Sequence, residues 1–312
     1  MPLQIFHRPE YDLITEGFDT FVKAGAVAEA IADMDPDTTD TTVELVPPTP
    51  ATDGELAAVH GHDYLEALAT GEPRDLAESN GLPWDPELLP TVAASTGGVR
   101  DAALTAWRTG AHTGSLSSGL HHAGVGGGAG FCTVNGLVVA ARAVLDAGAG
   151  RVLVLDLDAH CGGGTAGLID GIDGIEAVDV SVIGYDRYES RPDARLTLVA
   201  EPADYLPSIE LALDSIDAPD GIDVVLYNAG MDPHEHAGGV RGITTQVLRD
   251  RERLVFEWAA RVGVPVAFVL AGGYRSARFD LDDVARLHLL TVRAAARDAP
   301  ATGGRSVERA GG

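Results

Sequence analysis

Three Val- and Leu-rich runs, each ending in polar residues, restrict this chain to few folds. They are Arg151-Val-Leu-Val-Leu-Asp-Leu-Asp-Ala-His160, Ile222-Asp-Val-Val-Leu-Tyr-Asn-Ala-Gly-Met-Asp232 and Val264-Pro-Val-Ala-Phe-Val-Leu-Ala-Gly-Gly-Tyr274. A short, nearly continuous apolar run marks a parallel strand covered on both faces. In open α/β sheets, ligand sites gather beyond the carboxyl ends of such strands. Asp158, His160, Asp232 and Tyr274 are therefore expected at one rim, although they are distant in sequence.

The remaining pattern alternates strand and helix. Strands are expected over residues 3–7, Thr42–Val46 and Val178–Ile183. Helices are expected over Thr20–Ala32, Asp63–Ala69, Pro86 to about Trp107, Gly136–Ala147, Asp204–Ile216, Thr245–Val262 and Asp280 to about Ala296. Thr52-Asp-Gly-Glu55 has the form of a capping box. Residues 71–86 and the stretch from 184 to about Ala203 read as loops. This alternation predicts an α/β class with a mostly parallel central sheet. No break in composition marks a domain boundary, so one catalytic domain over 1–298 is expected, followed by a Gly-rich tail at 299–312.

Charge narrows the partners. The 312 residues carry a formal net charge of −25, and Lys23 is the only lysine. A nucleic-acid phosphate backbone requires a basic face, which this balance opposes. A cationic substrate would be drawn in, although acidity also serves solubility alone. No apolar run is long enough to span a bilayer. The beginning of the chain lacks the basic flank and apolar stretch of a signal peptide. Two cysteines, Cys132 and Cys161, make no disulfide framework. A cytoplasmic protein is the simplest expectation.

Asp156, Asp158 and His160 alternate, so an extended backbone places them on one face. Carboxylate and imidazole together suit a divalent first-row cation, and zinc takes both at about 2.0–2.2 Å. Two local ligands do not close a site; Asp232, at the end of another strand, is the natural third. Three protein ligands plus an open position describe a catalytic rather than a structural metal. The bland alternative is a set of strand-end acids. His121 and His122 sit beside a glycine-rich stretch, Ala123–Gly130, and an imidazole there could move protons near neutrality. Gly124-Val-Gly-Gly-Gly-Ala129 imitates a dinucleotide-binding turn, but no clear strand precedes it. Cys161 reads as a small packed residue. His234 and His236 could supply a second metal, a substrate contact or only a loop rim. His7, His60, His62, His112 and His288 have no supporting pattern.

Taken in order, these pieces resemble the histone deacetylase superfamily, which includes acetylpolyamine amidohydrolases and acetoin-utilisation proteins. The segments that carry the resemblance are Leu56-Ala-Ala-Val-His-Gly-His-Asp-Tyr64, His121-His122-Ala, Gly130-Phe-Cys-Thr-Val-Asn135, Leu155-Asp-Leu-Asp-Ala-His160, Asn228-Ala-Gly-Met-Asp-Pro233 and Ala271-Gly-Gly-Tyr274. Phe18-Asp-Thr-Phe21 resembles the family's N-terminal stretch more faintly.

The resemblance implies a single three-layer domain of the arginase/deacetylase kind. It implies hydrolysis of an acyl group, typically acetyl, from an amine or a lysine side chain. Zinc would be held by Asp158, His160 and Asp232. His122 would take a proton from the attacking water and later protonate the leaving amine. His121 would act electrostatically, oriented by Asp156. Tyr274 would hydrogen-bond the oxyanion, and Gly130 and Phe131 would line the acyl channel. Potassium would sit near Asp156, Asp158, His160 and Ser181. One departure stands out. The family commonly places Asp or Asn three residues after the ligand histidine, where it orients the second histidine of the pair. Here that position is Gly163. The expectation is that His122 lacks its usual partner, that water, a backbone carbonyl or another carboxylate would have to stand in, and that otherwise the base is poorly held and Gly163→Asp raises turnover. Two other readings of the scaffold remain: a binuclear manganese ureohydrolase, which calls for more aspartates, and a non-catalytic acyl or metabolite binder.

Overall fold

The computed structural model describes residues 1–14, 20, 22–35 and 41–297. The weak N-terminal match at 18–21 lies largely outside these residues, and the tail at 299–312 lies wholly outside them. The elements run β1 (Leu3–Phe6), α1 (Lys23–Ala32), β2 (Val43–Val46), α2 (Asp53–Ala57), α3 (His62–Thr70), α4 (Arg74–Ala77), α5 (Leu88–Thr109) and β3 (Thr113–Ser115). They continue with α6 (Gly136–Asp146), β4 (Val152–Asp156), α7 (Gly163–Ile169), β5 (Ile175–Ser181), β6 (Ala194–Leu198), α8 (Tyr205–Asp214), β7 (Val224–Asn228), α9 (Thr245–Val262), β8 (Val266–Val269) and α10 (Leu281–Arg297).

All eight strands join one sheet in the order β2-β1-β3-β8-β7-β4-β5-β6, and every pairing is parallel. The apolar runs are continuous because both faces are covered. In β4, Leu153 and Leu155 pack into one core with β7's Val225 and Tyr227, while Val152 and Val154 pack into a second core with Val224 and Leu226. The first core is closed by α1, α8, α9 and α10, the second by α5, α6 and α7. This is an arginase/deacetylase-like α/β architecture of three layers. No described helix is long and apolar enough to cross a membrane.

Local signals behave as their chemistry requires. The Thr52 hydroxyl accepts from the Glu55 amide and Glu55 reaches back to the Thr52 amide, so the capping box forms. Helix α9 spans the expected residues, with Thr244 as N-cap and Gly263 in the left-handed region as its stop. Four elements depart from expectation, β3 among them. The stretch from 184 contains edge strand β6, the loop 71–86 contains the single turn α4, and α7 begins inside a run of glycines. The central strand β3 is only three residues, Thr-Gly-Ser. It has little β propensity of its own; a Cβ on Gly114 would stand 2.3 Å from the Phe268 ring, so packing against β8 defines it.

Register brings the chemistry to one edge. Asp156 lies opposite Asn228, Asn228 opposite Val269, and Val269 opposite Ser115. Asp156 also lies opposite Asp179. The loops leaving β3, β4, β5, β7 and β8 thus start level with one another. The glycine stretch is a pair of tight antiparallel bridges, Gly124 to Gly127 and Ala129 to Cys132, well before α6 begins at Gly136. It has no dinucleotide-turn geometry.

Candidate metal and active centre

Beyond β4 the chain bends at Asp158 and Ala159 before His160 bridges to Ile183, rather than staying extended as expected, and its polar residues are fixed by backbone amides. Asp158 Oδ1 accepts from the His160 amide at 3.0 Å, and Asp158 Oδ2 accepts from the Gly272 amide at 2.8 Å. Asp232 Oδ1 accepts from the Ala159 amide at 3.0 Å. The loops after β4, β7 and β8 are thereby tied through the carboxylates themselves. Buried Arg251 adds a second tie by donating to Gly230 O at 2.6 Å and to Leu157 O at 3.1 Å. Its partner, Glu252, is also buried.

His160 Nδ1 lies 3.2 Å from Asp158 Oδ1 and 3.1 Å from Asp232 Oδ2. Each of the three side chains offers one atom, all within 4.8 Å of one another. Ligands at about 2.0–2.1 Å around a tetrahedral cation stand about 3.3 Å apart, close to both contacts. Asp232 Oδ2 is buried and makes no well-formed hydrogen bond despite that contact. Burial, then repulsion from Asp158, pushes the Asp232 carboxyl up to about 6. Burial opposes a charge on the His160 imidazole, but Asp158 and Asp232 outweigh it and raise the group to about 10, and the donor set of two carboxylates and one imidazole fits a divalent metal.

The histidine pair forms one wall beside these groups. Both are buried, with ring centroids 3.9 Å apart. Their loop is held by the Thr165 amide donating to His121 O at 2.9 Å and by the Asn135 side chain donating to Ala123 O at 3.2 Å. The expected orientation of His121 is found: Nδ1 stands 2.8 Å from Asp156 Oδ2. Asn228, given no role in the sequence beyond its place in a family segment, donates to Asp156 Oδ1 at 2.8 Å and fixes that carboxylate. Burial opposes a charge on His121, but Asp156, Asp158 and Asp179 outweigh it and raise the group to about 10. For His122 the balance goes the other way. Burial, then the neighbouring His121, hold it below the ordinary imidazole range.

His122 lacks the usual partner at position 163, and another carboxylate takes its place. The imidazole Nδ1 is not unpartnered: Asp186 Oδ2 lies 2.9 Å away. Nor does an empty space await a side chain at position 163. A Cβ there would stand 2.4 Å from both the backbone oxygen and Oδ1 of Asp186. This geometry argues against the anticipated gain from Gly163→Asp. Linear spacing identified the missing acid but not its replacement from the loop after β5.

A cavity of about 610 Å³ opens onto His122 and is lined by it, Gly130, Phe131, His160, Tyr185 and Tyr274, among others. Both expected channel residues and the expected tyrosine are therefore present. Phe131 has φ 64° and is held by its amide donating to Asn80 O at 2.8 Å. Behind the tyrosine loop, buried Lys23 donates to Gly273 O at 3.3 Å and to Ala271 O, with its ammonium 5.5 Å from the Tyr274 ring centroid. Tyr185 was missed in the sequence. Its ring stands edge-on to His122 at 4.9 Å and to His160 at 6.2 Å.

Near the proposed potassium position, Ser181 Oγ lies 3.1 Å from His160 O and against Asp179. These are oxygen donors of the kind a hard cation takes. Asp179, also missed, accepts from the Gly162 amide at 2.8 Å. His234 and His236 do not join the metal group. His234 lies 3.2 Å from Thr245 Oγ1, accepts from the His236 amide at 3.1 Å and stacks on Phe279. Cys161 is buried and free, as expected of a packed residue.

Comparison with known proteins agrees with this geometry. Residues 16–185 match the Histone deacetylase domain family. The chain belongs to the histone deacetylase family. An uncharacterized protein of Picosynechococcus sp. is 32% identical over 247 residues, covering 77% of this chain and 81% of that protein. Acetoin utilization protein AcuC of Bacillus subtilis is 34% identical over 131 residues, 39% of this chain but only 34% of AcuC. Histone deacetylase 2 of Arabidopsis thaliana is 25% identical over 261 residues, 78% of this chain and 67% of that protein. The crystal structure of the HDA15 HD domain superposes with a TM-score of 0.74 at 19% identity, covering 94% of this chain and 90% of that one, a likeness of fold. The family supports a deacetylase-type hydrolase.

Proposed function

We propose that this protein is a zinc-dependent amidohydrolase that removes an acyl group, typically acetyl, from an amine or a lysine side chain. The observation that carries the reading is the Asp158, His160 and Asp232 cluster, with His160 Nδ1 at 3.1–3.2 Å from both carboxylates and the cavity of His122 and Tyr274 beside it. When bound there, a divalent cation polarises an amide carbonyl and makes water acidic enough to attack near neutrality.

The chain's own residues supply the rest. His122, kept neutral by burial and by His121, accepts the proton of the attacking water and returns it to the departing amine nitrogen. His121 keeps its charge through its carboxylate neighbours and adds positive potential where negative charge develops. Tyr274 donates its hydroxyl hydrogen to the oxyanion. Gly130, Phe131 and Tyr185 hold the acyl chain and exclude water. Potassium near Asp156, Asp158, His160 and Ser181 would fix the β4 loop.

One metal suits the site better than two. Among the described residues the other metal-competent group is His121, His122 and Cys132, and both imidazoles there already have Nδ1 against a carboxylate. The non-catalytic reading rested on Gly163, and Asp186 removes that support. We read residues 1–298 as one catalytic domain. Two buried free cysteines agree with a reducing cytoplasm.

The test is zinc-loaded protein assayed on a panel of acylated amines, from N-acetylputrescine to acetyl-lysine peptides, with metal stoichiometry measured per chain. His122→Ala and Tyr274→Phe serve as controls. Hydrolysis at one zinc per chain, abolished or sharply reduced in both controls, is expected. Hydrolysis unaffected by either substitution overturns the assigned roles.

A further inference from the structure

The family's usual support for the second histidine is absent at Gly163, and the space it would fill is occupied by Asp186. Asp186 Oδ2 stands 2.9 Å from His122 Nδ1 and also accepts from the Gly164 amide at 3.1 Å. Asp186 has φ 59°, a left-handed conformation that aspartate tolerates better than most residues. Its loop is pinned by the Cys161 amide donating to Tyr185 O at 3.0 Å. Glycine at 163 and a left-handed aspartate at 186 are two halves of one arrangement. A side chain at 163 would exclude this loop path, since the clash includes the Asp186 backbone oxygen.

We infer that Asp186 is the positioning residue of His122, supplied from the loop after β5 rather than from the metal-strand loop. This rests on the deacylase reading for its consequence in catalysis, but not for its geometry. With Nδ1–H donated to Asp186, Nε2 keeps its lone pair as the proton acceptor. The carboxylate also favours the imidazolium that forms when the proton arrives. The two histidines are then held differently. Asp156 ends β4 and is buried with His121. Asp186 is 28% exposed at its side chain. Tyr185, the residue before it, is part of the cavity wall. The support of the base and the wall that meets substrate are therefore one segment, and a substrate seated on Tyr185 steadies the group that holds His122.

The experiment compares wild type with Asp186→Ala and Asp186→Asn, using zinc-loaded protein, acetyl-lysine coumarin amide and N-acetylputrescine as probes, and zinc content for each variant. Long-range 1H–15N spectra of the histidine rings supply a readout that needs no turnover. Asp186→Ala is expected to lower kcat about 100-fold with KM within about threefold and zinc content unchanged. Asparagine can still accept from Nδ1–H, so Asp186→Asn should keep kcat within about tenfold of wild type. Formate, entering the space the exposed carboxylate leaves, should restore part of the Asp186→Ala loss. The spectra should show His122 protonated at Nδ1 in wild type and as mixed tautomers in Asp186→Ala. An unchanged His122 tautomer in Asp186→Ala overturns the inference, as does kcat within threefold of wild type. Loss of zinc in parallel with activity also overturns it, because the residue would then be serving the metal site. Wild type inactive on every probe, with the tautomer change present, counts against the deacylase reading and leaves the positioning role supported.

Discussion

Replacing Asp232 by Asn tests the metal centre through one oxygen. Asn keeps the volume and can still accept from the Ala159 amide, now 3.0 Å from Oδ1. It loses the anionic oxygen that lies 3.1 Å from His160 Nδ1. A ligand that binds only the folded protein stabilises it by about 4.1 kcal/mol at a concentration 1,000 times its Kd. Lowering the affinity 100-fold at the same zinc concentration leaves about 1.4 kcal/mol. With an unfolding entropy of about 2.1 cal/mol/K per residue over 312 residues, these become shifts of about 6 °C and about 2 °C in Tm. The assay is thermal unfolding followed by circular dichroism, with and without zinc, at pH 8. The wild-type shift should also shrink as pH falls, because Asp158 and Asp232, against burial, raise the His160 imidazole to about 10, and burial and Asp158 push the Asp232 carboxyl up to about 6. The sign follows from competition: the metal takes the deprotonated carboxylate, so protons displace it from the acid side. An equal zinc shift in wild type and Asp232→Asn would refute the three-ligand site. So would wild-type protein whose Tm responds to no first-row divalent cation.

Three further outcomes follow from the same geometry. Tyr274→Phe removes an oxyanion donor and should lower kcat about 10²–10³-fold with a smaller change in KM, measured by steady-state kinetics. The acid limb of kcat against pH should lie below about 6.5, the ordinary imidazole value, because burial and His121 favour neutral His122 and the neutral form is the base. A limb above 6.5 would contradict that balance. Arg251→Met removes the donors to Leu157 O and Gly230 O and leaves Glu252 buried without its cation, so a loss of about 3–5 kcal/mol is expected in denaturant unfolding.

The fold was legible wherever burial dictated composition. The β4, β7 and β8 runs are apolar because helices cover both their faces, and helix α9 carries its own start and stop signals. Strand β3 was illegible because its central residue is a glycine chosen by the Phe268 ring, a contact across the sheet. At the site, Asp158, His160 and Asp232 could be picked out because each follows a strand at once. Asp186, Tyr185 and Asn228 could not. Their partners lie 64, 63 and 72 residues away, in His122 twice and Asp156, and nothing local marks them. Lys23 was conspicuous as the only lysine, but its place beneath the tyrosine loop depends on how α1 meets α10.

Position 163 shows how far a linear comparison can mislead about a site it has otherwise identified. Restoring the family's acid by Gly163→Asp places a Cβ 2.4 Å from the Asp186 carbonyl oxygen, a backbone atom that cannot rotate away. The new carboxylate would also face the Asp186 carboxylate, a like charge. Relief requires the loop of Tyr185 and Asp186 to move, which withdraws both the partner of His122 and part of the cavity wall. Overpacking of this kind costs about 1–3 kcal/mol, and kcat should fall rather than rise, with KM increased as Tyr185 shifts. Thermal unfolding and steady-state kinetics on the purified variant check both parts. A variant that keeps wild-type stability and turns over faster would mean that the loop after β5 yields freely, and that the contact between His122 and Asp186 does not govern the base.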